Sequence, residues 1–440
     1  MTSTIRAPRK ADSERAHRPS PNRVLVLAIA ALVVVIMGLT RFVFAKPGED
    51  QPPLAPATTV ELVAMLEAGA ESNPGDLSTW QQLANAYLRA ATETGDPSFY
   101  ARAEAALDEA AALDPGNRGT AIGLAVLALA RHDFELAARN ATELLSNDPF
   151  DSQALLVLVD AEIELGQYDE AATHLQQLLD LKLALPALSR TSYLRELHGD
   201  LPGAEQAMIQ AITAGSRSAF DLAVSTTLLG DLYLKRGDLE RADERYLEAQ
   251  SLAPDLLTAG MGRARVAVAR GRFDLAANLL EDIVERFPEP GALTLLGEVL
   301  IAQARIDEAD QVFATVGVIA QLQKDAGAVV DLELARFIAD HGDPEQAVAL
   351  AQAAYDTRPT VFAAQVLAWS LHQSGDSAAA LPFVAEALRL GTPDAPLLLQ
   401  AAEIAVANGD TNLAEDLGSS ASGLDPWFLV LHPELDDPSD

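Results

Sequence analysis

The sequence predicts an all-α fold, a right-handed α-solenoid of about ten helix-turn-helix units preceded by one N-terminal transmembrane helix. Three observations predict this fold. An alanine recurs along most of the chain with gaps of 33 to 38 residues. A glycine often stands five positions before that alanine, and a proline often stands twelve positions after it. An uncharged apolar run lies close to the N-terminus. A fixed period of this length is typical of stacked helical repeats.

The N-terminal part of the chain begins with a basic tail, residues 1–23, which holds six Arg or Lys and two acidic residues. Residues 24–40 carry no charge, and residues 42–45 continue the apolar stretch beyond Arg41. About 22 apolar residues give roughly 33 Å of helix, which predicts a transmembrane helix over residues 24–45. The basic tail favours a cytoplasmic N-terminus and a body outside the cytoplasm, held at the cell membrane. The alternative is a signal peptide cleaved near Ala45, followed by secretion.

The body is expected to begin after a spacer. Residues 46–57 contain four prolines, which predict an extended linker. The solenoid is expected over residues 58–426, and residues 58–74 have the pattern of an unpaired helix that starts the stack, with a threonine cap. Residues 427–440 follow the array. Their apolar part, residues 427–431, is expected to cover the last helix pair, and the acidic end is expected to form a tail.

Each recurring position in the array has a physical reason. The alanine is expected where the two helices of a unit cross closely, because a larger side chain there would separate them. The glycine would end the first helix in a left-handed conformation, and the proline would end the second helix. The ten alanines are Ala103, Ala137, Ala171, Ala204, Ala242, Ala276, Ala309, Ala347, Ala380 and Ala414. The glycines are Gly166, Gly199, Gly237, Gly271, Gly342, Gly375 and Gly409.

The period is interrupted at three places. The gaps that follow Ala204 and Ala309 are 38 residues long, and the first unit holds extra residues around positions 92–97. We expect additional helical turns near residues 215–219 and 318–329. We expect a longer loop or longer helices near residues 92–97.

The unit at residues 226–254 carries a family resemblance. Its first helix holds Leu229, Gly230 and Tyr233, and its second helix holds Ala242, Tyr246 and Ala249. In these residue types and spacings the chain resembles the tetratricopeptide repeat family over about residues 58–426. The resemblance implies a solenoid that needs no cofactor and binds a protein or peptide in a concave groove lined by the first helices.

The resemblance also implies which side chains face the groove. The ninth residues of the units are Asn85, Val126, Asp160, Tyr193, Asp231, Arg265, Glu298, Arg336, Trp369 and Glu403. The candidate partner-binding residues are Asn85, Arg89, Asp231, Lys235, Arg265, Arg336, Phe362, Trp369 and His372. Among them, Asn85 and Arg89 are suited to hold a carboxylate or backbone amides, and the last three would form an aromatic patch. Two alternatives stay open: Trp369 packs inside the superhelix, and the two arginines Arg265 and Arg336 pair with nearby acids.

Composition and motifs argue against other function classes. The net charge of −33 makes nucleic acid a poor partner, because an acidic surface repels phosphates. The chain has no cysteine, which excludes disulfides and thiolate metal sites. The seven histidines show no metal-ligand spacing, and the sequence has no phosphate-binding loop or nucleophile elbow. We therefore expect no enzymatic activity. His132, His198 and His341 fall at or beside turns, where a solvated or capping role is expected.

These features together predict a membrane-tethered scaffold that mediates protein–protein interactions outside the cytoplasm. The alternative is an accessory or assembly subunit of a membrane transporter, export or cytochrome-maturation complex, in which the transmembrane helix itself makes contacts. The third hypothesis is an enzyme with an unrecognised site.

Overall fold

The computed structural model describes residues 59–435 except residues 95, 97, 217 and 326–330. Within these residues the chain forms 22 α-helices and no β-strand, an all-helical solenoid as the sequence predicts. The helices are α1 (Thr59–Ser72), α2 (Leu77–Thr94), α3 (Ser98–Leu113), α4 (Arg118–Ala130), α5 (Phe134–Asn147), α6 (Ser152–Glu164), α7 (Tyr168–Leu181), α8 (Leu185–Leu197), α9 (Leu201–Ala214), α10 (Ala219–Lys235), α11 (Leu239–Leu252), α12 (Leu257–Ala269), α13 (Phe273–Arg286), α14 (Pro290–Ala302), α15 (Ile306–Asp325), α16 (Asp331–His341), α17 (Pro344–Thr357), α18 (Val361–Gln373), α19 (Ser377–Ala387), α20 (Ala395–Ala407), α21 (Thr411–Ala421) and α22 (Pro426–Leu431). A 3₁₀ turn, Pro433–Leu435, follows α22.

Helices α2 to α21 pack as ten consecutive pairs, which are the ten predicted units. Each unit has a first and a second helix, and α1 packs against α2 at the start of the stack. The ten recurring alanines all lie in second helices, and none is more than 2% exposed. Their burial confirms that the recurring alanine marks a close helix crossing, where larger side chains would not fit.

The turn between the two helices of a unit adopts a left-handed conformation at the position five residues before the alanine. Six of the seven predicted glycines have a positive φ there, and Gly342 is the exception. Two units without glycine place His132 and Ala304 at the same position, each with a φ of 61°. The repeat geometry therefore imposes this conformation even on residues with a Cβ.

An aspartate four positions before the recurring alanine caps the second helix in six units, and in five of them it directly follows a left-handed residue. The carboxylate accepts a hydrogen bond from the backbone N–H three residues later, as Asp200 does from Gly203 at 2.9 Å and Asp238 from Arg241 at 3.1 Å. Such a cap stabilises a helix by about 0.5–2 kcal/mol. The capping aspartates are Asp133, Asp200, Asp238, Asp343, Asp376 and Asp410.

Replacing Ala304 by glycine should stabilise the protein. Alanine in a left-handed conformation costs roughly 1–2 kcal/mol of folding free energy, and glycine avoids this cost. Part of the gain is lost because glycine gives the unfolded chain more conformational entropy. We expect a gain of about 0.5–1 kcal/mol, measured as a higher thermal unfolding midpoint. The matched control is Ala353→Gly, at an exposed position inside helix α17, which should lower the midpoint. A lower midpoint for both variants would contradict the prediction.

The interruptions of the period are accommodated by longer helices. The first unit has helices of 18 and 16 residues, α2 and α3. Helices α10 and α15, with 17 and 20 residues, hold the extra residues of the two 38-residue gaps. The common length in the other units is 13 or 14 residues. The extra residues therefore lengthen helices: α10 begins at Ala219, the end of the first predicted stretch, and α15 runs through the described part of the second, up to Asp325.

The array coils so tightly that units three, four and five touch units eight, nine and ten. On one side, the contacts involve the turns between the two helices of a unit, at Gly166, Gly199 and Gly237. On the other side, they involve the turns that follow units eight, nine and ten. We call this set of contacts the seam. A Cβ built on Gly166 would lie 2.5 Å from the Pro359 carbonyl oxygen, and one on Gly199 would lie 3.0 Å from that of Gly391. The backbones of the two turns are therefore in direct contact.

Hydrogen bonds between residues 193 to 223 positions apart hold the seam. The Val361 N–H donates to the Tyr168 hydroxyl oxygen at 3.2 Å, and the Thr392 hydroxyl donates to the Leu197 carbonyl at 2.7 Å. The Arg389 guanidinium donates to the Gly166 carbonyl at 3.1 Å.

The predicted basic tail, transmembrane helix over residues 24–45 and linker lie outside the described residues. Among the helices that the structure describes, none is both long enough and apolar enough to cross a membrane.

Candidate interaction surface

The inner face of the array is the surface formed by the first helices of the units, on the side where the ninth residues lie. At its N-terminal end, Asn85 is half-buried, and its side-chain carbonyl oxygen has no hydrogen-bond partner among the described residues. Arg89 is partly exposed, and its Nε donates to Glu93 Oε1 at 2.7 Å. At this end of the inner face Arg89 is therefore partly open to solvent, whereas the Asn85 carbonyl oxygen is buried.

Lys235 lies at the end of α10, where it joins unit five to three other elements. Its Nζ is 3.1 Å from Asp394 Oδ2, 3.4 Å from Glu196 Oε1 and 3.9 Å from Asp425 Oδ2. Burial lowers the pKa of Lys235, but the three carboxylates raise it more, so the ammonium stays charged. Burial raises the pKa of Asp425 to about 6, although Lys235 opposes this increase. Lys235 thus forms ion pairs with three carboxylates, and those of Asp394 and Asp425 cross the seam.

Asp231, which is half-buried, and Arg265, which is buried, form a second charged pair beside Lys235. Asp231 Oδ1 accepts a hydrogen bond from the Tyr246 hydroxyl at 2.7 Å and lies 3.9 Å from Arg265 NH1. Burial raises the pKa of Asp231 and lowers that of Arg265, because each charge loses solvation. The interpretation that Arg265 pairs with a nearby acid is therefore confirmed.

Arg336, in α16, is buried at 2% exposure, and none of its three guanidinium nitrogens makes a hydrogen bond within the described structure. Burial lowers its pKa to about 10, and the carboxylates of Asp394, Glu333 and Asp340 oppose that decrease. The side chain is therefore charged at neutral pH. A buried guanidinium without hydrogen bonds is unfavourable unless another group satisfies it.

The predicted aromatic patch is divided between two places. Trp369 is 1% exposed, its Nε1 donates to Asp340 Oδ1 at 2.8 Å, and its ring stacks on His372 with centroids 5.2 Å apart. His372 Nε2 lies 3.3 Å from Glu403 Oε1. Phe362, two helical turns earlier, lines an internal cavity. The alternative in which Trp369 packs inside the superhelix is therefore the one that the structure shows.

The internal cavity has a volume of about 70 Å³ and lies where the later units meet α8, α10 and α12. Its lining includes Tyr193, Lys235, Arg265, Phe362 and Trp427. A water needs about 10–15 Å³ by this measure, so several waters or one small group would fit. Aromatic and charged side chains meet here, a combination typical of sites that bind amphipathic ligands.

The sequence reasoning missed the most deeply buried ion pair of the inner face. Arg190 Nε donates to Asp160 Oδ1 at 2.6 Å, its NH2 donates to Asp160 Oδ2, and its NH1 donates to the Pro186 carbonyl at 2.9 Å. The repeat register placed Asp160 on the inner face, but nothing in the sequence identified Arg190 as its partner.

A second missed pair lies at the seam. Arg358 NH1 is 3.6 Å from Glu164 Oε2, and the guanidinium also lies 5.3 Å from the Phe134 ring centroid. Burial raises the pKa of Glu164 to about 7, although Arg358 opposes the increase. The pair joins unit three to the turn after unit eight.

The turn histidines differ from one another. His198 Nδ1 lies 2.8 Å from the Leu194 carbonyl oxygen, which is the expected capping role. The expectation for His341 was wrong, because this side chain is only 3% exposed. Its ring stacks on Phe313 with centroids 4.2 Å apart, and its Nε2 lies 3.8 Å from Glu298 Oε1. No cluster of His, Cys, Asp and Glu in the described part of the chain has an arrangement that could hold a metal ion.

The end of the chain returns to the inner face. The sequence predicts that residues 427–431 cover the last helix pair, whereas α22 packs on α12 and α14, the first helices of units six and seven. The 3₁₀ turn that follows does contact α20 of the last pair. Trp427 and Phe428 are both buried. The inner face of units six and seven is thus covered by the chain itself.

Comparisons with known proteins match the chain to repeat proteins. One curated relative, cellulose synthase operon protein C of Pseudomonas fluorescens, is 27% identical over 289 residues, which is 62% of this chain and 19% of the relative. The chain thus spans about a fifth of the length of that relative.

The solved structures that the chain matches include PilW, described as a widely conserved type IV pilus biogenesis factor. It has a TM-score of 0.39 and 18% identity, and the match covers 46% of this chain and 91% of PilW. Yeast Tom70 has a TM-score of 0.43 and 15% identity, with 82% of this chain and 88% of Tom70 covered.

Family models described as tetratricopeptide repeat match three separate parts of the chain. The matched residues are 122–184, 226–256 and 267–330. Each segment falls in the array of helix pairs, where the recurring alanines are buried. Together these matches support the tetratricopeptide repeat family for this chain.

Proposed function

We propose that this chain is a membrane-tethered scaffold that binds protein partners on its inner face, outside the cytoplasm. The ten helix pairs support this proposal, because helices that are already formed lose little conformational entropy on binding. The tether rests on the uncharged residues 24–40 and the basic tail before them.

Arg336 is the observation that carries the binding proposal. It occupies a ninth position on the inner face, and its buried guanidinium makes no hydrogen bond within the described structure. A carboxylate or a row of backbone carbonyls from a partner would satisfy it, since guanidinium groups bind such acceptors through several N–H groups at once. We therefore infer a polypeptide partner that supplies acceptor groups, which reach this side chain, 2% exposed in the closed array, when the array opens at this position.

A second candidate is an accessory or assembly subunit of a membrane transporter, export or cytochrome-maturation complex. The match to the relative named for a cellulose synthase operon favours a role of this kind. The two candidates differ in what the membrane segment does. Replacement of residues 24–40 by an unrelated anchor leaves partner capture intact for a scaffold and abolishes it for a subunit that uses its own helix.

The test is capture of partners by the full-length tagged chain after crosslinking in intact cells. We expect a defined partner whose recovery falls about tenfold or more in Arg336→Gln, the loss of a charged hydrogen-bond group worth about 1.5–3 kcal/mol. The matched control is Arg139→Gln on the outer surface, where the side chain is 63% exposed. Equal recovery with parent and Arg336→Gln would reject the inner face as the binding surface.

A further inference from the structure

The C-terminal segment, residues 422–435, occupies positions where a ligand is expected to bind. Arg265 and Glu298 are the ninth residues of units six and seven, the positions that face a ligand in this kind of array. The Arg265 guanidinium lies 5.9 Å from the Trp427 ring centroid, and Glu298 Oε2 lies 4.0 Å from His432 Nε2. Both ligand-facing positions therefore contact the chain's own C-terminus.

The segment buries the kinds of side chain that dominate protein interfaces. Phe428 is fully buried, and its ring contacts those of Trp427 and His432 at centroid distances of 5.7 and 4.8 Å. Aromatic anchors in desolvated positions are typical of interface hot spots. The segment thus resembles a docked ligand more than a continuation of the repeat.

The connection to the array permits the segment to leave. Helix α21 ends at Ala421, and Gly423 and Asp425 then adopt positive φ values of 82° and 41°. A left-handed aspartate is under conformational strain, which opposes docking. Because the segment is at the end of the array, its release breaks no helix pair.

A carboxylate fixes the start of the docked segment. Asp425 Oδ2 accepts a hydrogen bond from the Ala395 N–H at 3.3 Å and lies 3.9 Å from Lys235 Nζ. The Asp425 N–H donates to the Lys235 carbonyl at 2.9 Å. The cavity lies beside this point, so Trp427 and Asp425 leave part of the site unfilled.

We propose that units five to seven form a peptide-binding site on the inner face, and that the C-terminal segment is its built-in competitor. The external ligand is a partner segment in which a carboxylate precedes two adjacent aromatic residues. Its carboxylate takes the place beside Lys235, and its first ring takes the place beside Arg265. This inference deepens the proposed scaffold function and rests on it, because it names the partner chemistry of one part of the inner face.

The probe is a fluorescent synthetic peptide of residues 422–435, added to the full chain. We expect weak binding to the parent chain and binding about tenfold or more tighter to Trp427→Ala, because that variant leaves the site open more often. The double variant Trp427→Ala with Arg265→Gln should lose the gain. A peptide with alanine in place of its tryptophan should not bind.

The matched protein control is Phe150→Ala, which removes an aromatic side chain that is 72% exposed outside the inner face. This variant should bind the peptide as the parent does. Absence of peptide binding to folded Trp427→Ala would overturn the proposal. A parent chain that forms dimers by exchange of residues 422–435 would also overturn it, since the occupant would then be a second copy.

Hydrogen exchange on the parent chain supplies a measurement that needs no variant. Amides of residues 427–432 should exchange about tenfold or more faster than those of α20 and α21, because the segment opens without unfolding the array. Equal protection would identify a permanent part of the fold and reject the competitor. The two proposals can fail separately. If the peptide does not bind but partner capture still depends on Arg336, only the site in units five to seven is rejected. If the peptide binds but partner capture does not depend on Arg336, the wider scaffold proposal is rejected.

Discussion

Replacing Arg190 by alanine should lower the free energy of unfolding by about 3–5 kcal/mol. The substitution leaves the Asp160 carboxylate, which is 4% exposed, without the two hydrogen bonds it receives from the guanidinium. Burial raises the pKa of Asp160, and the Arg190 guanidinium is the group that opposes this increase. Without Arg190 the buried carboxylate loses that stabilisation. The effect should appear as a lower midpoint in urea or thermal unfolding.

Two further variants decide whether the buried charge is the cause. Arg286→Ala removes an exposed pair with Asp255, 2.6 Å apart, and should cost less than about 1 kcal/mol. The double variant Arg190→Met with Asp160→Leu should recover most of the loss, because apolar residues of similar size remove both charges. A double variant as unstable as Arg190→Ala would show that the loss comes from packing and not from the unpaired carboxylate.

The repeat itself could be predicted from the sequence because each unit obeys a local rule. Ala242 must be small for its helices to cross, and Gly237 must tolerate a positive φ. The small residue recurs in all ten units and the positive φ in eight of them, so spacing alone located ten helix pairs. His132 and Ala304 show that the left-handed turn persists where the sequence signal is missing.

The seam could not be predicted in the same way. Tyr168 and Val361 are 193 residues apart and form a single hydrogen bond, which leaves no periodic pattern. The register correctly placed Lys235 and Arg265 on the inner face. It could not show that Asp394, Asp425 and Trp427 of the same chain would occupy that face. The side chains predicted to bind a partner therefore already contact other residues of the same chain. These contacts follow from the three-dimensional arrangement and leave no pattern in the sequence.

Replacing Gly166 by alanine should open the seam. Two effects add in this variant. Alanine at a φ of 72° is strained, and its Cβ would lie 2.5 Å from the Pro359 carbonyl oxygen, which belongs to the backbone and cannot rotate away. Gly271→Ala has the first effect without the second, because its φ is 68° and nothing lies within 4 Å of its Cβ. The difference between the two variants isolates the seam.

We expect Gly271→Ala to lower the unfolding midpoint by the strain of about 1–2 kcal/mol alone, without a change in the radius of gyration. Gly166→Ala should be destabilised further and should show a larger radius of gyration in small-angle X-ray scattering. Gly199→Ala and Gly237→Ala should fall between them, in the order of their Cβ distances of 3.0 and 3.2 Å to the opposing carbonyls. Because Lys235 pairs with Asp394 and Asp425 across the same seam, the opened variant should also bind the peptide of residues 422–435 more tightly than the parent. Identical behaviour of Gly166→Ala and Gly271→Ala would mean that the seam contributes nothing to the closed form of the array.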